Sequence, residues 1–269
     1  MARQATIVGA SGFVGRRLRT RLEADGWQVF APPRGAPELL ARDLGVVFYC
    51  AGLTADYDRR PFEAVEAHAS LVGRVIEAGR FEKIVYLSST RLYDGLPKAE
   101  VSETEPLVFD PTDPRRLYDL SKALGENLVM TRTDGRGAVA RLANVYDWAP
   151  GAPGFLSEWL IRAQAERSIA LDSSPHVARD YIHLDDVVAA LIAIASAAEP
   201  AICNVASGEL VSNAEIAQVF EACSWRVRFS GEAAPAAPPR ANIARLRALG
   251  LDPRPVKDRV RAYLEGLKG

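Results

Sequence analysis

An apolar run, Thr6-Ile7-Val8, feeds directly into Gly9-Ala10-Ser11-Gly12-Phe13-Val14-Gly15, and the residues that follow read as an amphipathic helix to about Ala24. Three glycines at intervals of three let the backbone turn tightly, and let a pyrophosphate approach a helix N-terminus whose unpaired N–H groups and dipole favour anions. The spacing alone is a weak signal. Its position at the first strand–helix junction strengthens it, because the chain goes on alternating. Further short runs rich in β-branched or aromatic residues occur at Trp27-Gln28-Val29-Phe30, Val46-Val47-Phe48-Tyr49-Cys50, Ile84-Val85-Tyr86-Leu87 and Val139-Ala140-Arg141-Leu142, separated by longer amphipathic stretches. Apolar strands alternating with helices predict a doubly wound parallel sheet covered on both faces, a Rossmann-type α/β fold.

Two helices have specific support. From Phe62 the apolar positions run Val65, Ala69, Val72, Ile76, and from Leu117 they run Leu120, Leu124, Leu128. Asp113-Pro114 supplies an N-cap residue and a first-turn proline for the second helix. Further helices are expected near Phe155 to Arg167, Asp185 to Ala198 and Ser212 to Cys223, and the Ala/Pro-rich stretch 231–239 reads as a loop. The dinucleotide-binding domain is expected over 1–145 and about 177–205, with a small C-terminal substrate-binding lobe over about 146–176 and 206–269.

Charge and cysteine usage exclude several classes. Thirty-three Lys+Arg against 34 Asp+Glu leave a net charge of −1, which offers no field for nucleic acid or an anionic membrane. A small-molecule partner is expected. Cys50, Cys203 and Cys223 cannot all pair and lack metal-ligand spacing, so three buried thiols, no metal and a reducing compartment are expected. The beginning of the chain shows neither a signal h-region nor about 18 successive apolar residues. A cytoplasmic chain is the expectation.

Tyr118-Asp119-Leu120-Ser121-Lys122 places a phenol and an ammonium on one face of a predicted helix. A free phenol ionises near about pH 10, and a neighbouring cation favours the phenolate. The pair suits proton transfer at a hydroxyl or ketone. Ser88-Ser89-Thr90 follows the fourth strand-like run, at the carboxyl edge of the sheet, where a hydroxyl could orient the same oxygen.

With these motifs together the chain resembles the extended short-chain dehydrogenase/reductase family, in its NAD(P)-dependent nucleotide-sugar epimerase, dehydratase and reductase branch. The matches are Gly9-x-x-Gly12-x-x-Gly15, Cys50-Ala51-Gly52, Leu87-Ser88-Ser89-Thr90-x-x-Tyr93, Tyr118-x-x-x-Lys122, Arg141-x-x-Asn144-Val145-Tyr146 and Arg179-Asp180-Tyr181-Ile182-His183-x-Asp185-Asp186. The resemblance implies Ser89 as the substrate-orienting hydroxyl, Tyr118 as the acid/base, and Lys122 as the residue that holds the nicotinamide ribose and tunes Tyr118. It implies NAD or NADP contacts at Gly9, Ser11, Gly12, Phe13, Val14, Gly15, Arg34, Cys50, Ala51, Gly52, His68, Leu87, Ser88 and Leu142. It further implies substrate contacts at Ser89, Thr90, Asn144 and Arg179, the last toward a diphosphate. A turn asparagine, or an arginine paired with Asp180 or Asp185, would account equally for the last two residues.

Departures from the family pattern carry their own expectations. The stretch from Pro32 to Gly45 is too short for the third strand usual there. Ala31-Pro32-Pro33-Arg34 stands where an acidic ribose ligand would, which favours NADP, although a solvated loop arginine reads the same way. His68 stands where the family has a helix asparagine, and would keep a donor for the cofactor or a water. Thr90 and Arg91 replace the acidic pair of the sugar 4,6-dehydratases, which disfavours dehydration. A second diphosphate arginine is missing near Glu232, with Arg240 as a substitute.

The function expected is therefore hydride transfer at a secondary alcohol or ketone of a nucleotide-linked sugar. A reductase of a non-sugar carbonyl, or an inactive cofactor-sensing protein, remains open. A homodimer is also expected, through the helices near Pro61 to Gly79 and Arg115 to Met130. The first of these carries one apolar row along Phe62, Val65, Ala69, Val72 and Ile76 and another along Ala64, Ala67, Leu71 and Val75.

Overall fold

The computed structural model describes residues 3–54 and 56–267. Its first half runs β1 (Gln4–Val8), α1 (Phe13–Ala24), β2 (Gln28–Phe30), β3 (Val46–Tyr49), α2 (Pro61–Val65), α3 (Leu71–Ala78), β4 (Lys83–Ser89), β5 (Glu100–Val101), α4 (Leu117–Thr131) and β6 (Gly137–Leu142). The second half runs β7 (Asn144–Tyr146), α5 (Phe155–Arg162), β8 (Ser168–Leu171), β9 (Ala178–His183), α6 (Leu184–Ser196), β10 (Ile202–Val205), β11 (Leu210–Ser212), α7 (Asn213–Ala222), β12 (Arg226–Phe229), β13 (Arg240–Ala241), α8 (Ala244–Ala248) and α9 (Val256–Gly266).

Six strands form one parallel sheet in the order β10-β6-β4-β3-β1-β2. The doubly wound Rossmann-type expectation is met. All five apolar runs lie on its strands, and β3 and β6 are buried along their whole length because helices cover both faces. On one face Leu18, Leu22, Val187 and Leu191 pack on Ile7, Phe48, Val85 and Ala140. On the other, Val72, Val75 and Val129 pack on Val47, Tyr49, Tyr86 and Val139. Winding reverses at β1, and a crevice opens there at the carboxyl ends of the strands.

No strand forms between β2 and β3; the segment holds only a 3₁₀ turn at Pro37–Leu40, so β2 is an edge. The other edge, β10, is closed by side chains. Its outward Asn204 N–H donates to Glu103 Oε1 at 2.9 Å, and Arg245 Nη1 donates to the Ile202 carbonyl at 2.8 Å.

The helix expected from Phe62 contains a π turn at Glu66–Ser70 between α2 and α3. One turn of this kind inserts a residue into the helical repeat and rotates everything beyond it. The expected row Phe62-Val65-Ala69-Val72-Ile76 is therefore broken, with Phe62 87 % exposed while Val72 is fully buried. Gly125 lets α4 lie against this turn: a Cβ there would stand 2.3 Å from the His68 carbonyl oxygen and 2.4 Å from Tyr86 Oη.

The remaining chain packs around a second core that includes Trp159, Phe220, Trp225, Ile169 and Val260. Here β7, β9 and β11 form one small sheet and β8 pairs with β12. Strand β9 serves both cores, with Tyr181 in the second and Ile182 in the first. The helix expected near Phe155 to Arg167 stops at Arg162, because Ile169 and Leu171 alternate into the second core as strand β8. Cys203 and Cys223 are buried free thiols, whereas Cys50 is only partly covered, which corrects the expectation of three buried ones.

Candidate active site

The glycine turn works through close approach. Gly9 has φ +87°, and a Cβ on it would stand 2.7 Å from the Ala51 nitrogen; one on Gly15 would stand 2.3 Å from the Gly9 carbonyl oxygen. Cys50-Ala51-Gly52 is thus pressed against the turn. Helix α1 begins at Phe13-Val14 with Gly12 as its cap, and no side chain caps it nor does an acidic residue stand in its first turn. Its N–H groups are presented for an anion. A cavity of about 1030 Å³ opens there, lined by Gly9, Ser11, Gly12, Arg34 and Cys50 to Gly52 among others. Cavity size, glycine clearances and an open helix end together fit a dinucleotide. Sequence reasoning missed Arg16, Glu63 and Arg74, which also line the cavity; Arg16 directly follows the third glycine.

Asp113 accepts from the Arg115 N–H at 2.9 Å and starts α4 through a short 3₁₀ turn, as its Asp-Pro signature implies. This sets Tyr118 in the first turn of α4, 3 % exposed. The Ser89 hydroxyl bears on the Tyr118 phenol, and the Arg91 N–H donates to Ser89 Oγ at 3.1 Å. Lys122 is buried one turn further along, where its Nζ donates to the Leu87 carbonyl at 2.8 Å and lies 4.9 Å from the centre of the Tyr86 ring. Ser88 is buried with its Oγ unpartnered, and Leu142 receives Thr90 Oγ1 at 3.3 Å.

Several groups besides Lys122 bear on the Tyr118 phenol. Burial pushes the Tyr118 phenol up to about 12, opposed by the Ser89 hydroxyl and by Arg91. Lys122 itself is pushed down to about 7 by burial, against the opposing field of Glu126. The cation that faces Tyr118 is Arg91, whose guanidinium carbon lies 5.0 Å from its ring centre.

His68 also departs from expectation. It is fully buried, its Nε2 accepts from the Leu53 N–H at 3.1 Å, and its Nδ1 meets Ser121 Oγ at 2.8 Å. Both ring nitrogens are spent inside the chain, so it offers no donor to a cofactor. Burial first, then Lys122, lower its pKa to about 3, and it stays neutral. The π turn delivers this ring to a place where it ties the loop below Gly52 to α4. Gly52 must be small there, since a Cβ would stand 3.2 Å from Lys122 Nζ and 3.3 Å from His68 Nε2.

Asn144 Nδ2, just after β6, donates to the Asp180 carbonyl at 3.0 Å. Arg179 lies 5.3 Å from the centre of the Phe155 ring with Nη1 buried and unpartnered. It is paired with neither suspected carboxylate. Asp180 is taken by Ser207 and Gly208, and Asp185 by Arg17 and His183. Arg240, the suggested second diphosphate ligand, instead pairs with Glu100, because β13 runs beside β5.

A model of the NAD dependent epimerase/dehydratase family covers residues 5–206. The chain belongs to that family. Within the family, a dTDP-4-dehydro-6-deoxy-D-allose reductase of Streptomyces bikiniensis is 24 % identical over 267 residues, 83 % of this chain and 82 % of the reductase. A dTDP-6-deoxy-L-talose 4-dehydrogenase (NAD(P)(+)) of Kitasatospora kifunensis is 29 % identical over 241 residues, 76 % of this chain and 74 % of the dehydrogenase. Two solved structures share the fold. MoeE5 in complex with UDP-glucose and NAD has a TM-score of 0.78 at 24 % identity, covering 98 % of both chains. TunA, an NAD dependent NDP-hexosamine 5,6-dehydratase, has a TM-score of 0.79 at 21 % identity, covering 99 % of this chain and 98 % of its own.

Proposed function

We propose that this epimerase/dehydratase family member is an NAD(P)-dependent oxidoreductase or epimerase that acts at a secondary alcohol or ketone of a nucleotide-linked sugar. The observation that carries this reading is the meeting of Ser89, Tyr118 and Lys122 at the carboxyl end of β4, beside the glycine-turn cavity. The curated relatives' names, a 4-keto-sugar reductase and a 4-dehydrogenase, support it. When bound, the nicotinamide supplies the hydride acceptor or donor. Ser89 orients the substrate oxygen, and Tyr118 gives or takes that oxygen's proton. Lys122 holds the ribose, and Arg179 turns its unpartnered donor toward the diphosphate. With Thr90 and Arg91 after Ser89, no carboxylic acid stands at those positions to protonate a leaving hydroxyl, which speaks for redox chemistry over dehydration.

A thermal-shift screen against NAD, NADP and a panel of nucleoside diphosphate sugars tests the reading, because a ligand that binds only the folded state raises the midpoint. We expect a rise with a dinucleotide and a further rise with at least one sugar nucleotide. Stabilisation by a dinucleotide but by no sugar nucleotide would refute the substrate class.

For the cofactor we propose a preference for NADP. Arg34 lines the cavity, is 76 % exposed and lies 3.2 Å from Glu63, so a 2′-phosphate must compete with that carboxylate. Arg34→Ala should weaken NADP about tenfold, near the lower end for a hydrogen bond to a charged group, and leave NAD unchanged. Glu63→Gln should strengthen NADP. Isothermal titration giving equal affinities for both cofactors in wild type and Arg34→Ala would overturn the preference.

We further propose a homodimer through α2, α3 and α4. Phe62 at 87 % and Leu124 at 50 % exposure are apolar side chains left open on these helices. Light scattering at micromolar concentration should give about twice 29.2 kDa, falling to a single chain in Phe62→Glu/Leu124→Glu. A single-chain mass in the wild type would count against it.

A further inference from the structure

A charged cluster that the proposed reaction does not use lies over the Tyr118 ring. Arg91 Nη2 donates to Tyr57 Oη at 2.8 Å and to the Arg115 carbonyl at 3.0 Å, and its Nε lies 3.2 Å from Asp119 Oδ1. Its guanidinium carbon stands 4.9 Å from the centre of the Tyr57 ring and 5.0 Å from that of Tyr118, and the two rings are 5.4 Å apart. Asp119 is fully buried and is held on its other oxygen by Arg116 Nη1 at 3.0 Å. The guanidinium is thus a moored plate lying across both rings.

We propose that Arg91 is a positioning residue for the proton-carrying phenol: moored by Asp119 and Tyr57, its guanidinium stabilises the deprotonated form of Tyr118 from outside the helix that carries Lys122. This rests on Tyr118 as the acid/base. Once the phenol gives its proton to a substrate oxygen, the ring beneath Arg91 carries a full negative charge, and the cation–π contact becomes an attraction between opposite charges. A guanidinium suits the task because it is planar, permanently charged and stacks on aromatic faces, whereas a buried ammonium loses its proton readily. The same residue's N–H sets Ser89 Oγ, so one residue bears on both hydroxyls. The other groups around Tyr118 are Tyr57 from the loop after β3, His68 from the π turn, Tyr86 on β4, and Asp119 and Lys122 on its own helix; His68 is neutral and Lys122 donates to the Leu87 carbonyl.

The test reads ionisation directly and needs no substrate. The full chain, with its 8 tyrosines replaced by fluorotyrosine to bring the phenols into an accessible pH range, is titrated by ¹⁹F NMR, and Tyr118→Phe identifies the signal. Arg91→Gln should raise the Tyr118 midpoint by about one pH unit or more, which corresponds to a differential interaction of about 1.4 kcal/mol. Arg91→Lys should fall between that variant and wild type, and Asp119→Asn should lower the midpoint by exposing the phenol to an uncompensated guanidinium. If Arg91→Gln does not fold because Asp119 is orphaned, Arg91→Gln/Asp119→Asn removes both charges and should still titrate above Asp119→Asn alone. A Tyr118 midpoint unmoved by loss of the Arg91 charge in whichever of these variants folds, or raised in Asp119→Asn, overturns the proposal. Failure of every sugar nucleotide to bind would strike the substrate reading and leave this titration standing.

Discussion

Tyr118→Phe is expected to lower turnover at least about a hundredfold, the usual scale for a lost general acid or base, with dinucleotide affinity nearly intact. The substitution removes one atom. The Phe ring keeps the packing against Tyr57 and His68 at centroid distances of 5.4 and 5.2 Å, and Lys122 keeps its bond to Leu87. What is lost is the hydroxyl that would carry the proton. Without it the substrate oxygen must exchange its proton with water in a site whose Tyr118 is only 3 % exposed. Steady-state kinetics on a sugar nucleotide that scores in the thermal screen, together with titration calorimetry for the cofactor, separates the two effects. Near-wild-type turnover in the variant would refute Tyr118 as the acid/base.

The second large effect concerns stability. Glu126→Ala should destabilise the fold by about 3–5 kcal/mol, the range for breaking one half of a buried ion pair. Arg141 donates through Nε and Nη2 to both oxygens of Glu126 at 2.9 and 2.6 Å, with side-chain exposures of 3 % and 5 %. Its Nη1 donates to Tyr93 Oη at 2.7 Å, and that hydroxyl donates to Asn204 Oδ1 at 2.8 Å. Removing the carboxylate leaves a guanidinium in the core with one neutral partner. At about 2–4 °C per kcal/mol for a chain of this size class, the melting midpoint should fall by roughly 6–20 °C. Glu126→Gln, which keeps an acceptor in the same place, should lose less. Calorimetry on both variants decides; a midpoint within about 2 °C of wild type for Glu126→Ala would show that the pair is not holding the core.

How much of this was legible in the sequence depends on which interactions are local. Five of the six strands of the large sheet were readable because a strand buried on both faces needs an unbroken apolar run, as Val46 to Tyr49 shows; β10, an edge strand interrupted by Asn204, was not. The starts of α1 and α4 were readable because Gly12 and Asp113-Pro114 act within a turn of their own position. The π turn was not, since one extra residue between Glu66 and Ser70 is revealed only by what Val72 and His68 come to touch. The cation over the Tyr118 ring was not legible for a related reason. Spacing of four places Lys122 on the same helix face, but where its long side chain ends is decided by the Leu87 carbonyl, on a strand 35 residues away. Arg91 comes to the phenol from another element altogether. Strand β8 escaped because four residues beside Arg167 carry too little pattern to outvote a helix.

The two margins of the large sheet bear on how the molecule can associate. A bare parallel strand at a margin invites another chain to add to it, and from there open-ended growth into fibres. At β10 that invitation is withdrawn, because Glu103 and Arg245 already occupy the outward N–H and carbonyl. At β2 the strand is only three residues long and runs out of N–H donors at Pro32-Pro33. With one margin occupied and the other cut short, neither edge of the large sheet offers a long strand for another copy of the chain to extend.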